Sequence, residues 1–159
     1  MSWSTTKNVV YQNYKTNARL TEKRIWGELF LIADSTRSFN WKITESKRSI
    51  CGYQCRKAIW QANDSTRIYA WFCSEVIPSI GPESFVGLPG AILGLATEDG
   101  GVIYFAKSVE MTKQDPVALQ PKKNKQKIYQ SSELKAQLEK QFGKEKWGKA
   151  MIYNNFAIW

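Results

Sequence analysis

Gly52-Tyr53-Gln54-Cys55-Arg56-Lys57-Ala58-Ile59-Trp60 and Thr66-Arg67-Ile68-Tyr69-Ala70-Trp71-Phe72-Cys73 flank Asn63-Asp64-Ser65. The two flanks are rich in aromatic and β-branched residues, and the trio between them favours tight turns. They read as an antiparallel hairpin. Turning about Asp64, facing residues have numbers that sum to about 128, which sets Cys55 opposite Cys73 on one face. A cross-strand disulfide between Cys55 and Cys73 is therefore one reading, and two cysteines acting as small buried hydrophobes is the other. Cys51 falls on the same strand face as Cys55 in this register, roughly 13 Å away, too far to bond it.

Outward from this hairpin, Ala91–Ala96 and Val102–Val109 form a second one around Glu98-Asp99-Gly100-Gly101, whose glycines supply the positive φ of a primed turn. Upstream, the apolar run Gly27–Asp34 and the alternating Asn40–Glu45 are strands, with Ser35-Thr36-Arg37-Ser38 as a turn. Successive hairpins imply a meander. Past residue 130 the period changes: Leu134, Leu138 and Phe142 make one apolar stripe on a charged helix. Ser131 or Ser132 is its N-cap and Gly143 its terminus, and Trp147 and Met151 continue the spacing. The expected fold is α+β and mainly antiparallel: a curved, half-barrel-like meander sheet with a C-terminal helix. Its parts are a β domain over 1–110, a basic linker over 111–130, and a helix and tail over 131–159 that pack on the sheet or on a partner.

The chain has 159 residues, 43% hydrophobic and 13% aromatic, enough for a buried core. It contains no histidine, which excludes histidine-based triads and His-ligated zinc sites. No metal site or cofactor is expected. Its charge is uneven: residues 1–110 carry +3 and residues 111–159 carry +6 of the total +9. Lys122, Lys123, Lys125 and Lys127 form a basic run beside Tyr129, either a solvated loop or a polyanion site. No nucleic-acid motif accompanies it, so nucleic acid is disfavoured as a partner. No stretch reaches the ~20 apolar residues of a membrane helix, and Met1-Ser2-Trp3 does not open a signal peptide.

The segment Ile77–Gly90 holds Pro78, Gly81, Pro82, Gly87, Pro89 and Gly90, so it forms neither helix nor central strand. Threaded with Phe85 and Leu88, it is held by packing or serves as a binding element. Gly87-Leu88-Pro89-Gly90, with Ala91 next, resembles the hallmark of the GLPGLI proteins of Bacteroidetes, whose name has Leu where this chain has Ala91. Gly52, Tyr53, Cys55, Lys57 and Ala58 resemble that family's Gly-Tyr-x-Cys-x-Lys-Ala element. Trp71, Glu75, Ile77, Pro78, Gly81 and Pro82 resemble its Trp-x-x-x-x-Ile-Pro-x-x-Gly-Pro stretch, with five residues rather than four between Trp71 and Ile77. The resemblance implies a periplasmic or outer-membrane-associated protein, and a mature fragment whose leader and first segment are missing. It implies no settled activity.

Glu75, Glu83, Glu98 and Asp99 are candidate carboxylates, with Tyr53 or Lys57 for acid–base work, but no spacing among them reports a mechanism. The expectation is a non-enzymatic binding or assembly module that docks on an outer-membrane protein complex through Phe85, Leu88, Phe156 and Trp159. Two alternatives stand beside it. One is a carrier of a lipid or other hydrophobic ligand on a concave face lined by Trp41, Tyr69 and Trp71, and the other is a polyanion binder.

Overall fold

The structure, a computed structural model, describes residues 8–35, 37–113 and 127–156, the side chain of Asn154 excepted. The chain forms two compact units, described residues 8–35 with 127–156, and 37–113. The expected class is what the structure has: mainly antiparallel β with C-terminal helices. The strands expected within one β domain divide between two open sheets, neither closed into a barrel.

In the first unit β1 (Val9–Asn13), β2 (Ala18–Ile25) and β3 (Glu28–Ser35) are antiparallel, and β9 (Ile128–Tyr129) joins β3 in parallel. Helices α1 (Ser131–Phe142) and α2 (Lys146–Phe156) follow. Period-two alternation in β2 and β3 turns Ile25, Phe30 and Ile32 to one face, where Leu134, Leu138, Met151 and Ile152 close the core. The same face of β2 also buries Arg19 and Lys23. Each side chain relates to a helix end. Asp34, opposite Arg19 in the register, accepts hydrogen bonds from the backbone N–H (3.2 Å) and the hydroxyl of Ser131 at the start of α1. Arg19 lies 3.7 Å from that carboxylate. At the other end Lys23 donates to the Asn155 carbonyl (2.7 Å) in the last turn of α2. Acid at the helix start and base at the helix end both complement the helix dipoles. The N-cap is Gln130, which supplies no side-chain cap. Ser131 therefore sits one position inside the expected cap, and the strand carboxylate takes its backbone N–H.

The second unit is the meander: β4 (Lys42–Ile50), β5 (Tyr53–Asn63), β6 (Thr66–Cys73), β7 (Ala91–Thr97) and β8 (Ile103–Phe105), paired in chain order. Its central register matches the sequence reading, with Arg56 facing Phe72 and Trp60 facing Ile68. The turn expected over Ser35–Ser38 includes Thr36, which lies outside the described residues, and the strands on either side of it, β3 and β4, belong to different sheets. Cys51 is likewise not on a strand. With φ 51° beside Gly52 at φ 78° it makes the two-residue turn between β4 and β5, as a primed turn requires.

A candidate binding face on the second sheet

The register sorts the second sheet into two faces. On one lie Ala58, Trp60, Ile68, Ala70, Phe72 and Leu95, and on the other Lys57, Tyr69, Trp71 and Gly94.

The first face is filled by the chain itself. Phe85 is fully buried, and its ring centroid lies 5.2 Å from that of Phe39, 6.0 Å from Trp60 and 6.3 Å from Trp41. The Trp41 indole N–H donates to the Val86 carbonyl at 2.8 Å. Leu88 is buried as well, and the backbone N–H groups of Ala91 and Ile92, the first residues of β7, donate to the Val76 and Ile80 carbonyls at 2.8 Å. Phe85 and Leu88, expected as docking residues, are thus core residues, because a loop that carries large apolar side chains over an apolar sheet face lowers its free energy by burying them. Trp41 is on this covered face, whereas Tyr69 and Trp71 are on the opposite one. The three aromatics do not line a common concave surface.

The second face is open in its middle. Arg48 pairs with Cys55 in the register and so shares this face. Its guanidinium lies over Trp71 (5.3 Å to the ring centroid) and Phe105 (4.8 Å). Lys57 lies over Tyr69 at 4.7 Å. Gly94 between β6 and β8 makes room for this arrangement, since a Cβ there would come within 2.8 Å of the Phe105 ring. The Tyr69 hydroxyl donates to Glu98 at 3.0 Å, and Arg67 pairs with the same carboxylate at 3.4 Å. Phe105 and Ile103 are 42% and 57% exposed, so apolar surface remains accessible beside the cations. Sequence reasoning listed Lys57, Tyr69 and Trp71 but missed Arg48 and Phe105. The signal was alternation in β4, which puts Arg48 and Ile50 on one face.

Two of the three cysteines lie at the closed end of this face. Cys55 and Cys73 are buried with Ile50, Val76, Ala91 and Leu93, and all three cysteines are thiols. Burial, reinforced by the neighbouring Cys73 and Cys51, pushes the Cys55 thiol up to about 11. Cys51 is exposed and donates to the Ala106 carbonyl at 3.0 Å.

The candidate carboxylates that form hydrogen bonds have different partners. Glu83 is buried and accepts from the Tyr104 hydroxyl at 3.1 Å. Asp99 accepts from Thr97 (2.6 Å) and the Gly101 N–H (2.9 Å), which hold its carboxyl below the usual range. Glu75 is exposed. No group of three or more Cys, Asp or Glu side chains that can hold a metal ion occurs among the described residues. Phe156 packs half-buried against the first unit's core with Lys23 5.6 Å from its ring, so it belongs to the fold rather than to an open surface. Of the basic run, Lys127 pairs with Glu133 at 2.8 Å and lies over Tyr129. Lys122, Lys123, Lys125 and Trp159 lie outside the described residues. No helix among the described residues is long and apolar enough to cross a membrane.

Residues 60–94, from the end of β5 through the loop into β7, match a family described as a protein of unknown function, Porph_ging. Two crystal forms of PNGF-II are similar in structure. The C2 form is 21% identical with a TM-score of 0.57, covering 93% of this chain and 25% of that one. The P21 form is 23% identical with a TM-score of 0.56, covering 77% and 23%. The likeness is one of fold, and this chain spans about a quarter of the length of PNGF-II. No curated protein matches the chain.

Proposed function

We propose that this chain is a non-catalytic binding or assembly module of the bacterial cell envelope, of the GLPGLI type found in Bacteroidetes, and that it docks on an outer-membrane protein complex. The observation that carries this reading is the open face of the second sheet, where Trp71, Tyr69 and Phe105 support Arg48 and Lys57. Aromatic residues and arginine are the side chains that dominate protein interfaces. Two further observations support it. The motif loop is spent on packing, with Phe85 and Leu88 inside, and a fold of this kind recurs as about a quarter of a longer chain. Glu83, Glu98 and Asp99 each hold a neighbouring hydroxyl or N–H within their own unit, which suits structural roles.

Fractionation of host cells followed by native mass spectrometry of the purified protein tests the proposal. The expected result is recovery with the outer membrane in a protein complex of fixed stoichiometry. A cytoplasmic monomer, or a species carrying only a lipid adduct, overturns it.

A further inference from the structure

We infer that the open face of the second sheet is a recognition site for an extended acidic peptide segment, with Arg48 and Lys57 as its two carboxylate-binding groups. The inference rests on the binding-module reading and names the partner chemistry of that face. Arg48 makes no ion pair or hydrogen bond through its guanidinium among the described residues, and neither does the Lys57 ammonium. Both are nonetheless held in place: Arg48 by two rings, Lys57 by one. A guanidinium carried over aromatic rings keeps N–H donors to give, and its planar fork takes a carboxylate through two parallel hydrogen bonds. Lys42, opposite Ile59, adds a third cation to the same face.

Charge alone would suit any polyanion, and the geometry narrows the choice. The cations cover the faces of Trp71, Tyr69 and Phe105 that a nucleobase needs for stacking. Arg48 and Lys57 are diagonal neighbours across β4 and β5, about 7–8 Å apart by sheet geometry. Alternate side chains of an extended peptide are spaced by roughly 6.6 Å, so acidic residues at every second position meet both cations. Glu98 bounds the site at one end and disfavours an acidic group there.

The test uses the full chain and an octapeptide alternating Glu with Ser, followed by fluorescence anisotropy at low salt, with its Gln counterpart, oligothymidylate and phosphatidylglycerol vesicles as competitors. We expect saturable binding of the acidic peptide, loss of binding in the Gln counterpart, and at least tenfold weaker binding by Arg48→Gln. Lys140→Gln on the exposed surface of α1 is expected to bind as the unaltered protein does. Arg48 is exposed, so its variant is expected to melt with the parent. Absence of saturable binding, equal binding by Arg48→Gln, or preference for the oligonucleotide or the vesicles overturns the inference. An envelope complex that survives Arg48→Gln would also remove it while leaving the binding-module reading intact.

Discussion

Replacing Gly90 by alanine isolates what holds the motif loop. Gly90 has φ 148°, and an added Cβ would lie 2.0 Å from the Cys73 carbonyl oxygen and 2.6 Å from its carbon. Both obstacles are backbone, at the end of β6, so no side chain can rotate away. The strained backbone conformation contributes about 1–3 kcal/mol, and forcing β6 and β7 apart adds roughly 1–3 kcal/mol. A loss of about 2–6 kcal/mol is expected on these two terms. Gly52→Ala is the control: φ is also positive, 78°, but no atom lies within 4 Å of the new Cβ, so only the left-handed penalty of about 1–2 kcal/mol remains. Because the chain has two units, a single melting curve can merge two transitions. Hydrogen exchange of the β6 and β7 amides under increasing urea reads the second unit alone. A Gly90→Ala variant no less stable than Gly52→Ala would refute the close-approach argument and return the loop to the surface.

Asp34→Ala removes the cap on α1 and the carboxylate facing buried Arg19. A loss of roughly 2–4 kcal/mol is expected in chemical denaturation, with less for Asp34→Asn, and equal losses would deny the charge a role. Phe156→Ala is expected to lower first-unit stability by about 1–2 kcal/mol. Unchanged stability would free that ring for a partner. Iodoacetamide at pH 8 is expected to modify exposed Cys51 first, with Cys55 and Cys73 reacting on unfolding, as peptide mapping would reveal. A Cys55–Cys73 bridge in protein recovered under non-reducing conditions would replace this expectation. With the Cys55 thiol raised from 9.0 to about 11, the unfolded chain loses that proton first. Its contribution to stability is therefore complete below pH 9 and declines between pH 9 and pH 11, and a Cys55→Ala variant should flatten this slope in unfolding measurements.

The elements legible in the sequence are those set by neighbours along the chain. Asn63-Asp64-Ser65 defined the β5–β6 register, the glycines near residue 100 located the β7–β8 turn, and Leu134, Leu138 and Phe142 marked α1, because turn chemistry and side-chain period are local properties. The Ile77–Gly90 segment was legible as a loop but not as core, since burial of Phe85 depends on Phe39 and Trp41 from one distant stretch and Trp60 from another. Tertiary structure alone decided that β3 and β4 part into separate sheets, that β9 returns in parallel to β3, and that Trp41 lies on the opposite face from Trp71. It also decided the candidate site. Arg48, Trp71 and Phe105 come from β4, β6 and β8, and they meet because the registers of four successive strand pairs and the missing side chain at Gly94 bring them together. Pairing partners so far apart in sequence leave no local pattern. Their contact is a property of the assembled sheet.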